Sequence, residues 1–394
     1  MLKLINRNKQ RLKRAIQASV AVLFFSTSSL SNAAVATAVG VGYTHSCAAL
    51  ASGGAKCWGS NVSGELGTTK PGSSATPVEV QGLSQYQIAA IEGGTYFTCA
   101  LTSTGSVFCW GINNYGQLGT KTVASSNKPL QIQIPTGTAK AISVGTAHAC
   151  ALDTYGNIYC WGLNTSGQLN RNTSITKSEV PLYSAGMNDI VALQGYGVST
   201  CYLDLNGGAK CFGNNKYGQL GLGTKDSTSG ATYGAPKYVV GLATNVLSTS
   251  AGESYGCAVK TDSTVLCWGL NRNGDLGFEE YGTFLTPIVV QGLRNDARSV
   301  TTGFFHTCII TSSGGAQCWG ANGSGQLGNG RALPQDVPSD VIGINEKIIS
   351  LSLGYIHTCA LLESGTVKCF GQGGSGQLGT GTTSYSPVPI TVNL

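Results

Sequence analysis

Fourteen cysteines, four histidines and seven large rings recur at fixed places along this chain, and their spacing limits the chemistry each can do. The cysteines form seven pairs: Cys47 with Cys57, Cys99 with Cys109, Cys150 with Cys160, Cys201 with Cys211, Cys257 with Cys267, Cys308 with Cys318, and Cys359 with Cys369. Every pair has the same spacing and no cysteine is left over. Zinc-binding cysteines usually sit two to four residues apart, so a nine-residue gap suits a metal poorly. It suits a hairpin well. Pairing Cys99 with Cys109 puts Leu101 opposite Val107 and leaves a short turn around Thr104. The two cysteines then face each other across the ladder, within disulfide reach. Each bond would close a loop of 11 residues, worth somewhat under ~3 kcal/mol in the chain-entropy description.

The histidines are His45, His148, His306 and His357, each two residues before the first cysteine of a pair. Phe97, Ser199 and Tyr255 stand at the same place in the other units. A position that accepts phenylalanine reads as structural. A metal-binding ring of four is the sharper alternative, with its ligands unevenly distributed. With every cysteine paired there is no free thiol nucleophile. No Ser-His-Asp arrangement stands outside the repeat. Strings such as Gly221-Leu-Gly223 are turn glycines without the strand-to-helix context of a phosphate loop. The expectation is a non-enzyme with no metal and no cofactor.

What positions these residues is a repeat of about 51 residues, present seven times. In each unit a strand leads to a glycine bend, a second strand carries the first cysteine, and a tight turn reverses the chain. A third strand carries the second cysteine and then a ring: Trp58, Trp110, Trp161, Phe212, Trp268, Trp319 or Phe370. These rings read as the packing layer between neighbouring sheets. Leu66, Leu118, Leu169, Leu220, Leu276, Leu327 and Leu378 read as a second layer, in a turn that is Gly-Gln-Leu-Gly in most units. A proline precedes each last strand: Pro77, Pro129, Pro181, Pro236, Pro287, Pro338 and Pro387. Proline cannot donate to a ladder, so that strand should be an outer edge. Extra residues in unit four, 221–235, should form a surface loop. Four strands per unit and seven units predict an all-β, seven-bladed β-propeller over residues 34–394. A last strand near 387–393 should complete a sheet beside the N-terminal strand.

Residues 1–33 follow another pattern. Lys3, Arg7, Lys9, Arg11, Lys13 and Arg14 precede a mostly apolar run, 15–25, and Ser-Asn-Ala closes the segment at 31–33. This predicts a secretory signal cleaved after Ala33, or near Ala36, with a membrane anchor as the plainer alternative. Export to a periplasmic or extracellular, oxidising compartment follows, and there paired cysteines become disulfides. Without the leader, 18 basic residues face 18 acidic ones. That neutrality gives no support for nucleic-acid binding. No second segment is long enough to span a membrane.

Gly303-Phe-Phe-His306-Thr-Cys-Ile-Ile, Cys318-Trp-Gly320 and Gly325-Gln-Leu-Gly328, with their counterparts in the other units, resemble the repeat of the regulator-of-chromosome-condensation family. The resemblance covers about residues 36 to 394, and the paired cysteines resemble its exported bacterial branch. It implies a propeller. It also implies one of several functions: GTPase exchange, light reception, or inhibition of a target enzyme bound on one face. Even spacing leaves no room for a sizeable catalytic wedge in one blade. The tryptophans look structural rather than light-sensing.

The hairpin geometry brings the glycine bends and the Asn-rich loops before Gly-Gln-Leu-Gly to one face, where Tyr115 and Tyr217 also lie. Aromatic residues on turn tips of a rigid scaffold form binding surfaces. In the secreted inhibitors that the repeat resembles, the bends carry the contact rings. The matching residues here are Tyr43, Tyr96, Phe304, Phe305 and Tyr355. Units three, four and five have no ring at these positions, which predicts a gap in the patch. The expected function is an exported, non-catalytic propeller that binds a protein partner through this face. The alternatives are a guanine-nucleotide exchange factor-like regulator or effector of a small GTPase, and a structural or adhesive surface protein.

Overall fold

A computed structural model of the chain describes residues 34–394 except 122, 188 and 227–235. The predicted signal at 1–33 lies outside the described residues, as does much of the predicted loop at 221–235. The described chain forms seven antiparallel sheets arranged as the blades of a propeller. In blade one, strands Ala36–Val41, His45–Leu50, Ala55–Gly59 and Ser74–Glu79 pair in sequence order, from the axis outward. Five other blades repeat this order. Blade four shows three strands among the described residues, with one bridge, Lys210 to Tyr238, where the outer strand would run.

The register follows from the cysteines. Leu101 pairs with Val107, and each cysteine faces its partner across the hairpin. All seven expected disulfides are formed. Cys47 is bonded to Cys57, with Cα atoms 4.0 Å apart. Cys99 is bonded to Cys109, Cys150 to Cys160 and Cys201 to Cys211, each across 4.1 Å. Cys257 is bonded to Cys267, Cys308 to Cys318 and Cys359 to Cys369, again across 4.1 Å. No cysteine is free among the described residues. After the ring comes a glycine in the left-handed region; at Gly59 φ is +104° and an added Cβ would lie 2.5 Å from Thr44 O. The prolines sit inside the outer strands rather than before them. Cys57 pairs with Val78 but Gly59 pairs with Ser74, so Pro77 rides in a bulge of the edge strand. Six blades share this placement, which costs the ladder no donor.

There is no single core. Seven hydrophobic clusters occupy the seven junctions between blades. Each large ring is fully buried and packs into the blade before its own. Each indole N–H also donates to a carbonyl in the preceding blade's turn. Trp110 reaches Glu65 O at 2.8 Å, Trp161 reaches Gln117 O, Trp268 reaches Gln219 O and Trp319 reaches Asp275 O. Trp58 of blade one reaches Gln377 O of blade seven at 2.8 Å. Beside it Val392, just after the last strand (Ser386–Thr391), packs in the cluster that holds Ala36 and Trp58. The ring therefore closes by the same indole contact that four other junctions use.

The histidines complete the junctions. His45 Nε2 lies 2.8 Å from Thr98 Oγ1 of the next blade, and Thr98 donates to Glu65 O. His306 with Thr358 and His357 with Ser46 repeat the relay, ending on Gln326 O and Gln377 O. The hydroxyl's one proton goes to the carbonyl, so the imidazole donates from Nε2. His148 meets Thr200 likewise at 2.9 Å. Where the histidine is Phe97, the facing residue is Ala149, and both sit in one apolar cluster. Tyr255 instead sends its hydroxyl to His306 O and accepts from Thr307. The structural reading of the four histidines holds, and the position covaries with the facing residue of the next blade. Replacing His306 by Phe should strand the Thr358 hydroxyl against a ring and cost about 1–3 kcal/mol. Adding Thr358→Ala, to copy the pairing of Phe97 with Ala149, should recover part of that loss in equilibrium unfolding. Simple additivity of the two changes would contradict the pairing.

Candidate functional site

The seven bends form a ring around the axis at one face. Tyr43 N–H donates to Gly94 O, Thr95 N–H to Thr146 O, Thr146 N–H to Gly197 O and Phe304 N–H to Gly354 O. The glycine three residues before the histidine is required by packing. A Cβ on Gly42 would stand 2.1 Å from His45 Cε1, and one on Gly94 2.1 Å from Phe97 Cε1. Six bends have this glycine. Blade four has Tyr196 there and Ser199 at the histidine position. Serine has no ring to lay over the bend, so a large side chain fits at 196.

All five predicted contact residues come together. Tyr43 stacks on Tyr355 at 4.1 Å and meets Tyr96 at 6.2 Å and Phe304 at 5.5 Å. Phe304 meets Phe305 at 5.5 Å and Tyr355 at 5.1 Å edge-on. The predicted gap is bridged by Tyr196, whose ring meets Phe304 at 5.7 Å. Blades one, four and six thus touch although they are not neighbours, so the rings cover the end of the axis. Sequence reasoning misses Tyr196. Its signal is the break in the glycine rule at its own position, coupled to Ser199. Tyr43, Tyr196 and the three other bend rings are half-buried, and Tyr96 is 38% exposed. Edge-on and offset contacts of this kind hold rings in fixed orientations.

The surrounding loops divide into fasteners and free surface. The Asn residues are fasteners: Asn61 Oδ1 accepts from Leu66 N–H and its Nδ2 donates to Lys70 O. Asn113, Asn164, Asn215, Asn271 and Asn322 hold their leucines the same way. Val62, Tyr115 and Leu333 project from these loops, and Tyr217 lies beneath the Lys216 ammonium. Charges of both signs stand on these loops, Glu279 and Glu280 being exposed in the loop that carries Arg272. Lys70, Lys121, Lys216, Lys225, Arg272 and Arg331 stand exposed on the bend-side loops. Among the described residues none of the six is in a salt bridge. On the hairpin side Lys260 pairs with Asp262, Arg294 with Asp340 and Lys347 with Glu363.

Buried ionisable groups are shifted by desolvation. Burial lowers His45 and His148 to about 4 and His306 and His357 to about 3, so all four are neutral at pH 7. It raises Glu92 to about 8, and Glu253 and Asp275 to about 7. Glu92 accepts from Val144 N–H across a junction. Among the described residues no group of three or more His, Cys, Asp or Glu could hold a metal ion, and no helix is long and apolar enough to cross a membrane.

Comparison with known proteins matches the RCC1-like domain to residues 8–338 and the regulator of chromosome condensation (RCC1) repeat to residues 348–377. This chain belongs to the RCC1-repeat propeller family. It is 29% identical to the ultraviolet-B receptor UVR8 of Arabidopsis thaliana, over 87% of this chain and 78% of that one. It is 31% identical to the secretion-regulating guanine nucleotide exchange factor of Bos taurus, over 71% and 62%. Human E3 ubiquitin-protein ligase HERC2 matches at 30% over 77% of this chain, which spans only 6% of that protein. The structure of Kap60 bound to yeast RCC1 (Prp20) superposes with a TM-score of 0.77 at 21% identity, covering 94% of this chain and 90% of that one. At that identity the likeness speaks for the fold alone.

The titrations set the sign of the pH response of this RCC1-repeat propeller. The histidine pKa values lie below the ~6.5 of an unfolded chain, so the unfolded state gains protons first on acidification, and stability falls from about pH 6.5 towards 4. The three raised carboxyls act oppositely: their contribution is present at low pH and lost as pH rises through 7 to 8. Chemical unfolding across pH should therefore give maximal stability near pH 6 to 7. The double variant His306→Phe with Thr358→Ala should lose part of the acid limb. A profile that keeps rising from pH 6.5 down to 4 would contradict these assignments.

Proposed function

We propose that this RCC1-repeat propeller is an exported, non-catalytic protein-binding module. Its contact surface would be the bend face, centred on Tyr43, Tyr96, Phe304, Phe305 and Tyr355. The observation that carries this reading is the set of mutually touching rings on one face, edged by exposed cations that form no salt bridge among the described residues. An apolar centre with a polar rim is the anatomy of a protein interface. Export is supported by the leader pattern of residues 1–33 and by seven disulfides that need an oxidising compartment. N-terminal sequencing of protein from the periplasm or medium should begin near Ala34 or Thr37; an intact N-terminus on cytoplasmic protein would remove the export claim.

The comparisons favour one partner class, a small GTPase. The bovine guanine nucleotide exchange factor is similar over most of this chain, and Prp20p has been studied for its binding to Gsp1p and histones. The two readings share a protein partner and separate on one measurement. Acceleration of nucleotide release from a small GTPase by the purified propeller would support the exchange-factor reading, and capture without acceleration would leave the binding module. Under either reading that uses the bend face, Tyr96→Ala and Phe305→Ala should each weaken partner capture about tenfold or more. Thermal midpoints should move by only a few degrees. A large loss of stability with capture unchanged would make these rings packing and move the surface elsewhere.

A further inference from the structure

Below the aromatic rings the axis of the propeller is hollow. A residue inside an innermost strand has a neighbouring blade on either side, so solvent reaches it only along the axis. Gln194 is exposed, and Glu92, Thr301 and Ser352 are half-buried, although each lies within such a strand. The four stand at one level, because each pairs with the first cysteine of its own blade. One step towards the hairpin side the walls are small and again half-buried. They are alanine in blades one to four, such as Ala90 and Ala192, and serine in blades five to seven, such as Ser299 and Ser350. At the other end Phe304 meets Tyr43 and Tyr196 across the axis. The space is a blind shaft that water enters from the hairpin side.

The closed end of the shaft is acidic. At these two levels the one charged side chain is Glu92. Its Oε2 accepts from Val144 N–H of blade three at 3.0 Å, and that is its one hydrogen bond among the described residues. It is in no salt bridge there. The junction does not need a carboxylate for this bond. At the same level Ser352 Oγ accepts from Val41 N–H and Ser250 Oγ from Thr302 N–H, so a hydroxyl suffices. Glu92 does the same work and leaves a second oxygen for the shaft. Because it reaches over blade three, its carboxyl stands beside blade four, whose Gln194 amide is exposed and makes no hydrogen bond among the described residues. The mouth has the opposite charge. Every innermost strand carries one extra, bulged residue at its hairpin end. In blades three and six that residue is Lys140 and Arg298, both exposed and in no salt bridge among the described residues. Asp153, whose charge acts on Lys140, is already engaged by Tyr155 and Asn157.

We propose that the shaft receives a primary ammonium group at the end of a slender chain, held by Glu92 with Gln194 as a second acceptor. An ammonium has three donors and no acceptor, which suits a free carboxylate oxygen beside an amide oxygen. The ammonium comes from a free short peptide or from the N-terminus of a partner polypeptide. Mouth and closed end are three residues apart along a strand, Lys140 to Ser143, or roughly 10 Å. An extended tripeptide spans about that length, so a free one would bring its carboxylate to Lys140 and Arg298. The shaft opens away from the bend face, and its ligand is independent of the contact surface proposed there.

The test is titration calorimetry on the oxidised propeller at pH 7.5 and low salt, with triglycine, triglycine amide and N-acetyl-triglycine as probes. Glycine chains carry no side chain past the walls. The two probes with a free amine should bind saturably, and the acetylated one about tenfold or more weakly. Glu92→Gln should lower amine affinity by a similar factor. The melting temperature should stay unchanged or rise, because glutamine still accepts from Val144 N–H. Gln194→Ala removes no hydrogen bond of the fold and should also weaken binding. Leu333→Ser, on a bend-side loop, should change nothing. Tighter binding of triglycine than of its amide assigns the site to a free peptide whose carboxylate meets Lys140 and Arg298. Equal or tighter binding of the amide assigns it to the chain end of a partner. Equal binding of N-acetyl-triglycine, indifference to Glu92→Gln, or no saturable binding of either amine overturns the proposal and leaves the shaft to water.

Discussion

The structure depends on one contact repeated around the ring: the large side chain after each second cysteine, buried in the blade before it. It joins neighbours that are not linked through any strand pairing. Each blade is a closed sheet of consecutive strands, so nothing in the ladders holds blade to blade. The indole brings apolar area and an N–H in one side chain, and the preceding turn offers a carbonyl where that N–H arrives. A Ser or Thr hydroxyl adds a second donor to several of these carbonyls, and a histidine from the earlier blade orients it. Removing such a ring would cost roughly 3–5 kcal/mol, lost burial and cavity together. The cost would be felt at a junction of a closed ring, where every other junction shares the geometry.

This arrangement explains why the bends can serve as a contact surface. The second and third strands of each hairpin are tied by a disulfide, and the ring on the third is anchored in its neighbour. The bend before the second strand therefore has little freedom. Its glycine is consumed by the histidine or phenylalanine ring lying over it. The two residues between are the free positions of the script, and rings placed there are held half-buried against one another. Aromatic side chains so fixed lose little entropy on meeting a partner.

Much of this is legible in the residues. The constant cysteine spacing gives the hairpin register, and the fixed ring and leucine positions give the two packing layers, because identical local geometry leaves identical marks. The five bend rings are legible by position, though not their convergence: sequence order does not tell how far side chains reach across an axis. Tyr196 is obscured because it breaks the script rather than following it. The prolines read as preceding strands that in fact contain them, since a bulge looks in sequence like an interruption.

Blade four shows how the ring can carry an exception. Phe212 has no N–H for the turn of blade three, and Ser199 has no imidazole for blade five, where the facing residue is Gly256. Among the described residues its outer strand is reduced to a single bridge. Two of the usual polar fasteners are therefore missing at its junctions, while the buried phenyl and the Trp268 bond to Gln219 remain. A closed ring tolerates this because neighbouring blades still fix the spacing on both sides. The tolerance has a use. With Ser199 in place of a ring, the residue at the bend glycine is released from packing, and Tyr196 takes the space above the axis. The side chain that extends the aromatic cluster to blade four is thus available because one junction gave up part of its locking chemistry.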